Sequence, residues 1–150
     1  MMWGGEFTPP HIGVTLSGVE KRRLTRMTIA ALTLALAGLV GAQIPFSEAQ
    51  AQRGAEAYAA SCTACHGQAL EGMASFPALA GDSFMAKWQG KPVADLHAYI
   101  MANMPLGQGG SLTEQQYLDI LAHILASNDF EAGDEELTAE AVEGAEFPAN

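Results

Sequence analysis

From position 52 onward the apolar residues recur mostly at helical spacing. Tyr117, Ile120, Leu121, Ile124 and Leu125 fall on one face of a helix with 3.6 residues per turn. Thr113 and Gln116 precede them at the spacing of a capping box, in which each residue satisfies a backbone N–H left free at the helix start. Val93, Leu96 and Ile100 repeat the same period between Pro92, tolerated in a first helical turn, and Pro105, which forces a stop. Asp82, Phe84 and Trp88, closed by Gly90, predict a short capped helix. Arg53 to Ser61 is alanine-rich without a breaker after Gly54, so a helix is expected to run straight into Cys62, with Gly54 and Tyr58 one turn apart on one face. No stretch alternates at period two. The predicted class is all-α.

Two regions depart from this pattern. Residues 21–26 (KRRLTR) followed by Met27 to Ala42 read as the basic n-region and apolar h-region of an export signal. Ala49-Gln50-Ala51 then offers small residues at the positions signal peptidase accepts, which places the expected cut after Ala51 and makes 1–51 a leader. An uncleaved anchor over 27–44 is the alternative, disfavoured because the run is shorter than the roughly 20 residues of a spanning helix and contains Thr28, Thr33 and Gly38. The expected location is the periplasm. At the other end, 128–150 carries eight acidic residues and no basic one, the pattern of a solvated, disordered tail.

A chain of 150 residues bounds the remainder, 52–127, to one domain. Its formal charge of −10 excludes the basic footprint that nucleic-acid binding requires. After Ala51 three basic residues, Arg53, Lys87 and Lys91, face fourteen acidic ones, so the expected partners are proteins with a basic docking patch.

The chemistry is carried by Cys62-Thr63-Ala64-Cys65-His66. Two cysteines separated by two residues can form a disulfide, a redox motif, half a metal site or a haem attachment. A structural zinc site needs four ligands, and the chain offers no second cysteine pair or close histidine pair. A thioredoxin-like motif needs a βαβ setting, and no strand is predicted. A plain disulfide leaves the following histidine unexplained. Two thiols one helical turn apart can add to both vinyl groups of a haem while the adjacent imidazole takes an axial position on the iron.

With these residues in view, the stretch from Gly54 to about Ser127 resembles the class I c-type cytochromes. Gly54 and Tyr58 stand where that family has a small residue and an aromatic. Phe76-Pro77-Ala78-Leu79-Ala80-Gly81 is similar to its loop after the haem motif, and Asn103-Met104-Pro105 to its distal-ligand segment. Ala122-His123-Ile124-Leu125 falls where its last helix crosses its first, although His123 replaces the usual aromatic. The resemblance implies a small helical domain packed around one covalent haem c and its iron. It further implies His66 as proximal ligand, with its second ring nitrogen donating to the carbonyl of Pro77.

For the sixth iron ligand, Met104 is favoured because Pro105 ends the helix directly after it and leaves the thioether on a stiff loop. Met101 is expected to fill the core instead, and His97 or His123 would give a bis-histidine haem. Phe76, Leu79, Phe84, Trp88, Leu96 and Ile100 are the expected walls. With both axial positions filled, the expected activity is single-electron transfer between a periplasmic dehydrogenase or quinol-oxidising complex and an acceptor such as a terminal oxidase, without catalysis. Two alternatives stand beside it. One is a cytochrome subunit of a quinoprotein dehydrogenase complex, on a narrower resemblance in Pro77 to Phe84 and the Gly-Asp-Glu-Glu-Leu of the tail. The other is a five-coordinate haem enzyme or sensor, if Met104 does not bind.

Overall fold

A computed structural model describes residues 44–149, which belong to one compact unit. The expected n-region and h-region lie outside the described residues. Within these residues six helices follow one another: α1 (Glu48–Ser61), α2 (Thr63–His66), α3 (Asp82–Trp88), α4 (Val93–Asn103), α5 (Glu114–Ala126) and α6 (Ala139–Gly144). Among the described residues the only β pairing consists of isolated bridges, so the fold is all-α, as the periodicity predicts.

α1 and α5 make the most extensive contact between helices. They approach closely because Gly54 has no side chain: a Cβ built there would run into the backbone carbonyl of Asp119. One turn further, Tyr58 and His123 pack with ring centroids 5.3 Å apart, so the imidazole fills the place of the family's aromatic. The apolar face read for α5 is buried in full, and Thr113 and Gln116 form both halves of the expected capping box.

Three boundaries differ from expectation. Asp82 does not cap α3; it is the first helical residue, Gly81 is the cap, and the Gly81 N–H is held by the Asn128 side chain at 3.0 Å. Pro92 lies one position outside α4 as its cap, where its missing N–H costs nothing. α1 begins at Glu48 rather than at Arg53, so the expected cut after Ala51 falls within it.

The acidic tail is the largest correction, because it is packed rather than solvated. Leu137, Val142 and Phe147 are buried, and α6 lies against α4. Charge density made the segment look disordered, but Leu137, Val142, Ala145 and Phe147 turn inward. Phe147 joins Phe84, Trp88 and Phe130 in an aromatic cluster with centroid distances of 6.0 to 6.3 Å. Backbone bonds from Gly90 N–H to Phe147 O (3.1 Å) and from Phe147 N–H to Lys91 O (2.9 Å) tie the segment to the α3–α4 turn.

Candidate functional site

α1 delivers its last turn to Cys62, whose N–H bonds to the Tyr58 carbonyl at 2.8 Å, and α2 carries the remaining motif residues. Gly67 ends α2 with φ of 80°, a conformation that glycine adopts without strain, and so turns the chain away directly after His66. The Gly67 carbonyl accepts a buried hydrogen bond of 2.8 Å from the Tyr58 hydroxyl. Burial pushes the Tyr58 phenol up to about 12, so it remains a donor throughout the neutral range.

Cys62 and Cys65 are not joined in a disulfide. Burial, with a further contribution from the charge of Cys65, pushes the Cys62 thiol up to about 11, and the unattached side chain is therefore protonated at neutral pH.

His66 is buried, with Nδ1 2.8 Å from the carbonyl oxygen of Pro77. A carbonyl can only accept, so Nδ1 carries the proton and Nε2 presents a lone pair. This is the tautomer a metal requires. Phe76 packs edge-on against the imidazole at 6.2 Å and restricts its rotation.

Cys62, Cys65, His66, Pro77 and Met104 all line one cavity of about 470 Å³. The six apolar residues expected as walls line it as well. Met101, His97 and His123 do not. Two thiols, an imidazole and a thioether around a largely apolar space match the donor set and the volume required by an iron porphyrin. Among the described residues no cluster of three or more His, Cys, Asp or Glu side chains could hold a bare metal ion.

Two residues that position this site were not singled out in the sequence. The Tyr117 hydroxyl donates to the Met104 carbonyl at 2.8 Å, while the Met104 N–H bonds to Ile100 O at 2.8 Å, so the Met104 peptide is held on both sides. The Asn128 amide donates to the carbonyls of Leu79 (2.9 Å) and Ile124 (2.8 Å), pinning the loop after the haem motif to the end of α5. Tyr117 was hidden within an apolar stripe. Asn128 read as the first residue of the tail.

Helical fold, covalent-attachment motif and cavity together define a small c-type cytochrome. The chain belongs to the family described as cytochrome C oxidase, cbb3-type, subunit III, whose model matches residues 49–124, and its cofactor is accordingly a covalent haem c with iron. A thiosulfate dehydrogenase of Psychrobacter arcticus is 34% identical over an alignment of 83 residues that covers 51% of this chain and 25% of that protein. The crystal structure of the sulfane dehydrogenase SoxCD from Paracoccus pantotrophus superposes with a TM-score of 0.53 at 27% identity, covering 65% of this chain and 52% of that one. The chain thus spans about a quarter of the curated relative and about half of the solved chain. Its general role is electron transfer.

Proposed function

We propose that the protein is an exported single-electron carrier in which His66 and Met104 would hold the haem iron. The observation that carries this reading is the convergence of four donor residues on one cavity, with His66 Nδ1 committed to Pro77 and Nε2 left free. The bound haem supplies a one-electron couple. The protein's own residues do the rest. Cys62 and Cys65 tether the group, Pro77 sets the imidazole tautomer, and the Met104 peptide is fixed from two sides so that the thioether is presented without a large ordering cost. The apolar walls exclude water, while Tyr99 and Leu106 line the cavity and remain exposed, so its rim reaches the surface where a partner can approach.

The electron donor we propose is a dehydrogenase, supported by the two relatives, one named a thiosulfate dehydrogenase and the other a sulfane dehydrogenase. The same names support a second reading, in which this chain is the cytochrome component of a dehydrogenase complex. Co-purification with a larger subunit at high salt separates a permanent component from a free carrier. The acidic surface favours partners with a basic docking patch, and their rate of electron exchange is expected to fall as ionic strength rises. An exchange rate indifferent to salt removes that part of the proposal.

Ligation is tested by Met104→Ala, which is expected to abolish the weak far-red absorption of methionine-ligated ferric haem while leaving covalent attachment intact. Persistence of the band would place the ligand elsewhere. Carbon monoxide added to the reduced parent protein provides the complementary test: slow or absent binding accords with a carrier, whereas rapid binding would indicate an open site and an enzyme or sensor.

A further inference from the structure

The cut expected after Ala51 and the folded domain compete for the same residues. Ile44, Phe46, Gln50 and Ala51 are all buried, Phe46 and Gln50 completely. The Phe46 carbonyl accepts from Gly133 N–H at 2.8 Å, and Ser47 forms a parallel bridge with Gly133. Ser47 also caps α1, its hydroxyl accepting from Gln50 N–H at 3.1 Å.

Gln50 makes the most telling contact. Its side-chain amide donates to the Leu137 carbonyl at 3.0 Å and accepts from the Leu137 N–H at 2.7 Å, in the manner of a neighbouring strand. Both bonds are buried. Removing Gln50 would leave a donor and an acceptor on Leu137 inside the protein without partners, which is the expensive way to lose hydrogen bonds. The same cut would take an aromatic out of the core, uncap α1, and put a charged α-amino group at the positive end of the helix dipole.

Signal peptidase acts on the unfolded chain, so a helix at 48–51 is no barrier to cutting there. The decisive point is what the product can fold into. A product starting at Gln52 lacks part of its core, whereas one cut upstream of Ile44 retains all of it. Val40-Gly41-Ala42 closes the apolar run directly ahead of Gln43, with the small Ala42 at the last position before the cut and the compact Val40 at the third.

We propose that the exported chain is cut after Ala42, and that Ala49-Gln50-Ala51 remains as the first turn of α1, clasped to Leu137. This rests on the export reading above. One arm of the test is therefore independent of it. The full gene is expressed in a host that matures c-type cytochromes, and the haem-loaded protein is analysed by intact mass and N-terminal sequencing. A start at Gln43 is expected, and a start at Gln52 would overturn the proposal.

In the second arm, chains starting at Gln43 and at Gln52 are placed behind a foreign export signal, and holoprotein yield and melting are compared. The Gln52 chain is expected to lose most of its yield or to melt more than about 10 °C lower. Gln50→Leu, which keeps the volume and loses both bonds, should melt several degrees lower in the longer chain. Equal yield and melting of the two chains would overturn the clasp. If the native leader is left uncut and the chain stays in the cytoplasm, export fails and the proposed cut with it, while the second arm still decides whether 44–51 belongs to the domain.

Discussion

Gly54 lies against the backbone carbonyl of Asp119, and the separation leaves no room for even one methyl group. Both residues are on the helices that make the main crossing of the fold, so the contact sets how near α1 can come to α5. That crossing carries Tyr58 and the attachment motif at one end of α1. Beside it, the carboxylate of Asp119 accepts two bonds from the Arg53 guanidinium, each of 3.1 Å, which fixes the rotation of the two helices about one another.

Gly54→Ala is therefore expected to destabilise the holoprotein by at least the ~1–3 kcal/mol typical of an overpacked core, because the obstacle is backbone and cannot rotate away. Guanidinium unfolding of the variant measures the loss. An unchanged midpoint would mean that α1 shifts freely along α5.

Tyr117→Phe removes the hydroxyl that donates to the Met104 carbonyl. Loss of that bond should cost about 1–2 kcal/mol, concentrated on the Met104 loop rather than spread over the fold. The far-red band is expected to vanish at a lower denaturant concentration than helical circular dichroism. If the two signals disappear together as they do in the parent, Tyr117 serves general packing alone.

The parts of the molecule legible in the sequence are those where local pattern and tertiary role coincide. The capping box and apolar stripe of α5 are complete without knowledge of their surroundings. The attachment motif is legible for a different reason: its chemistry fixes a spacing of one helical turn. His66 could be named because it directly follows Cys65, Pro77 because the family resemblance implies it, and Met104 because Pro105 stops the helix directly after it. What was missed depends on contacts across the chain. Gln50 gains its importance from Leu137, 87 residues away, and neither residue is unusual in its own neighbourhood. The tail failed for a related reason, since eight carboxylates dominate its composition while a few apolar residues, among them Leu137, Val142 and Phe147, determine its fate.

Two histidines give the fold a predictable response to acid. Burial lowers the pKa of His97 below the usual 6.5, outweighing the opposing charges of Glu114 and Glu143, and burial likewise lowers that of His123. Each group is thus more readily protonated in the unfolded chain than in the folded one. Its contribution to stability is complete above about pH 6.5 and is lost as pH falls through the depressed folded value. Melting temperature should drop between pH 7.5 and pH 5.5. Replacing His123 by Phe, an aromatic without a titratable nitrogen, should reduce that drop. An identical drop in parent and variant would show that other groups govern it.

The C-terminal segment bears on the cavity as well as on stability. Phe147 is almost wholly buried, and its ring meets Phe84 at 6.2 Å and Trp88 at 6.3 Å. Those two residues are also walls of the cavity. Phe147→Ala removes the support behind them, with an expected loss of about 3–5 kcal/mol for an aromatic deleted from a close-packed interior. The walls should then loosen and admit water, so the visible spectrum and the reduction potential are expected to shift together with the unfolding midpoint. Glu146→Gln provides the comparison, because it alters the charge of the same segment at an exposed position and should leave all three nearly unchanged. If Phe147→Ala proves as mild as Glu146→Gln, the segment is attached to the domain without supporting it, and the coupling between tail and cavity is absent.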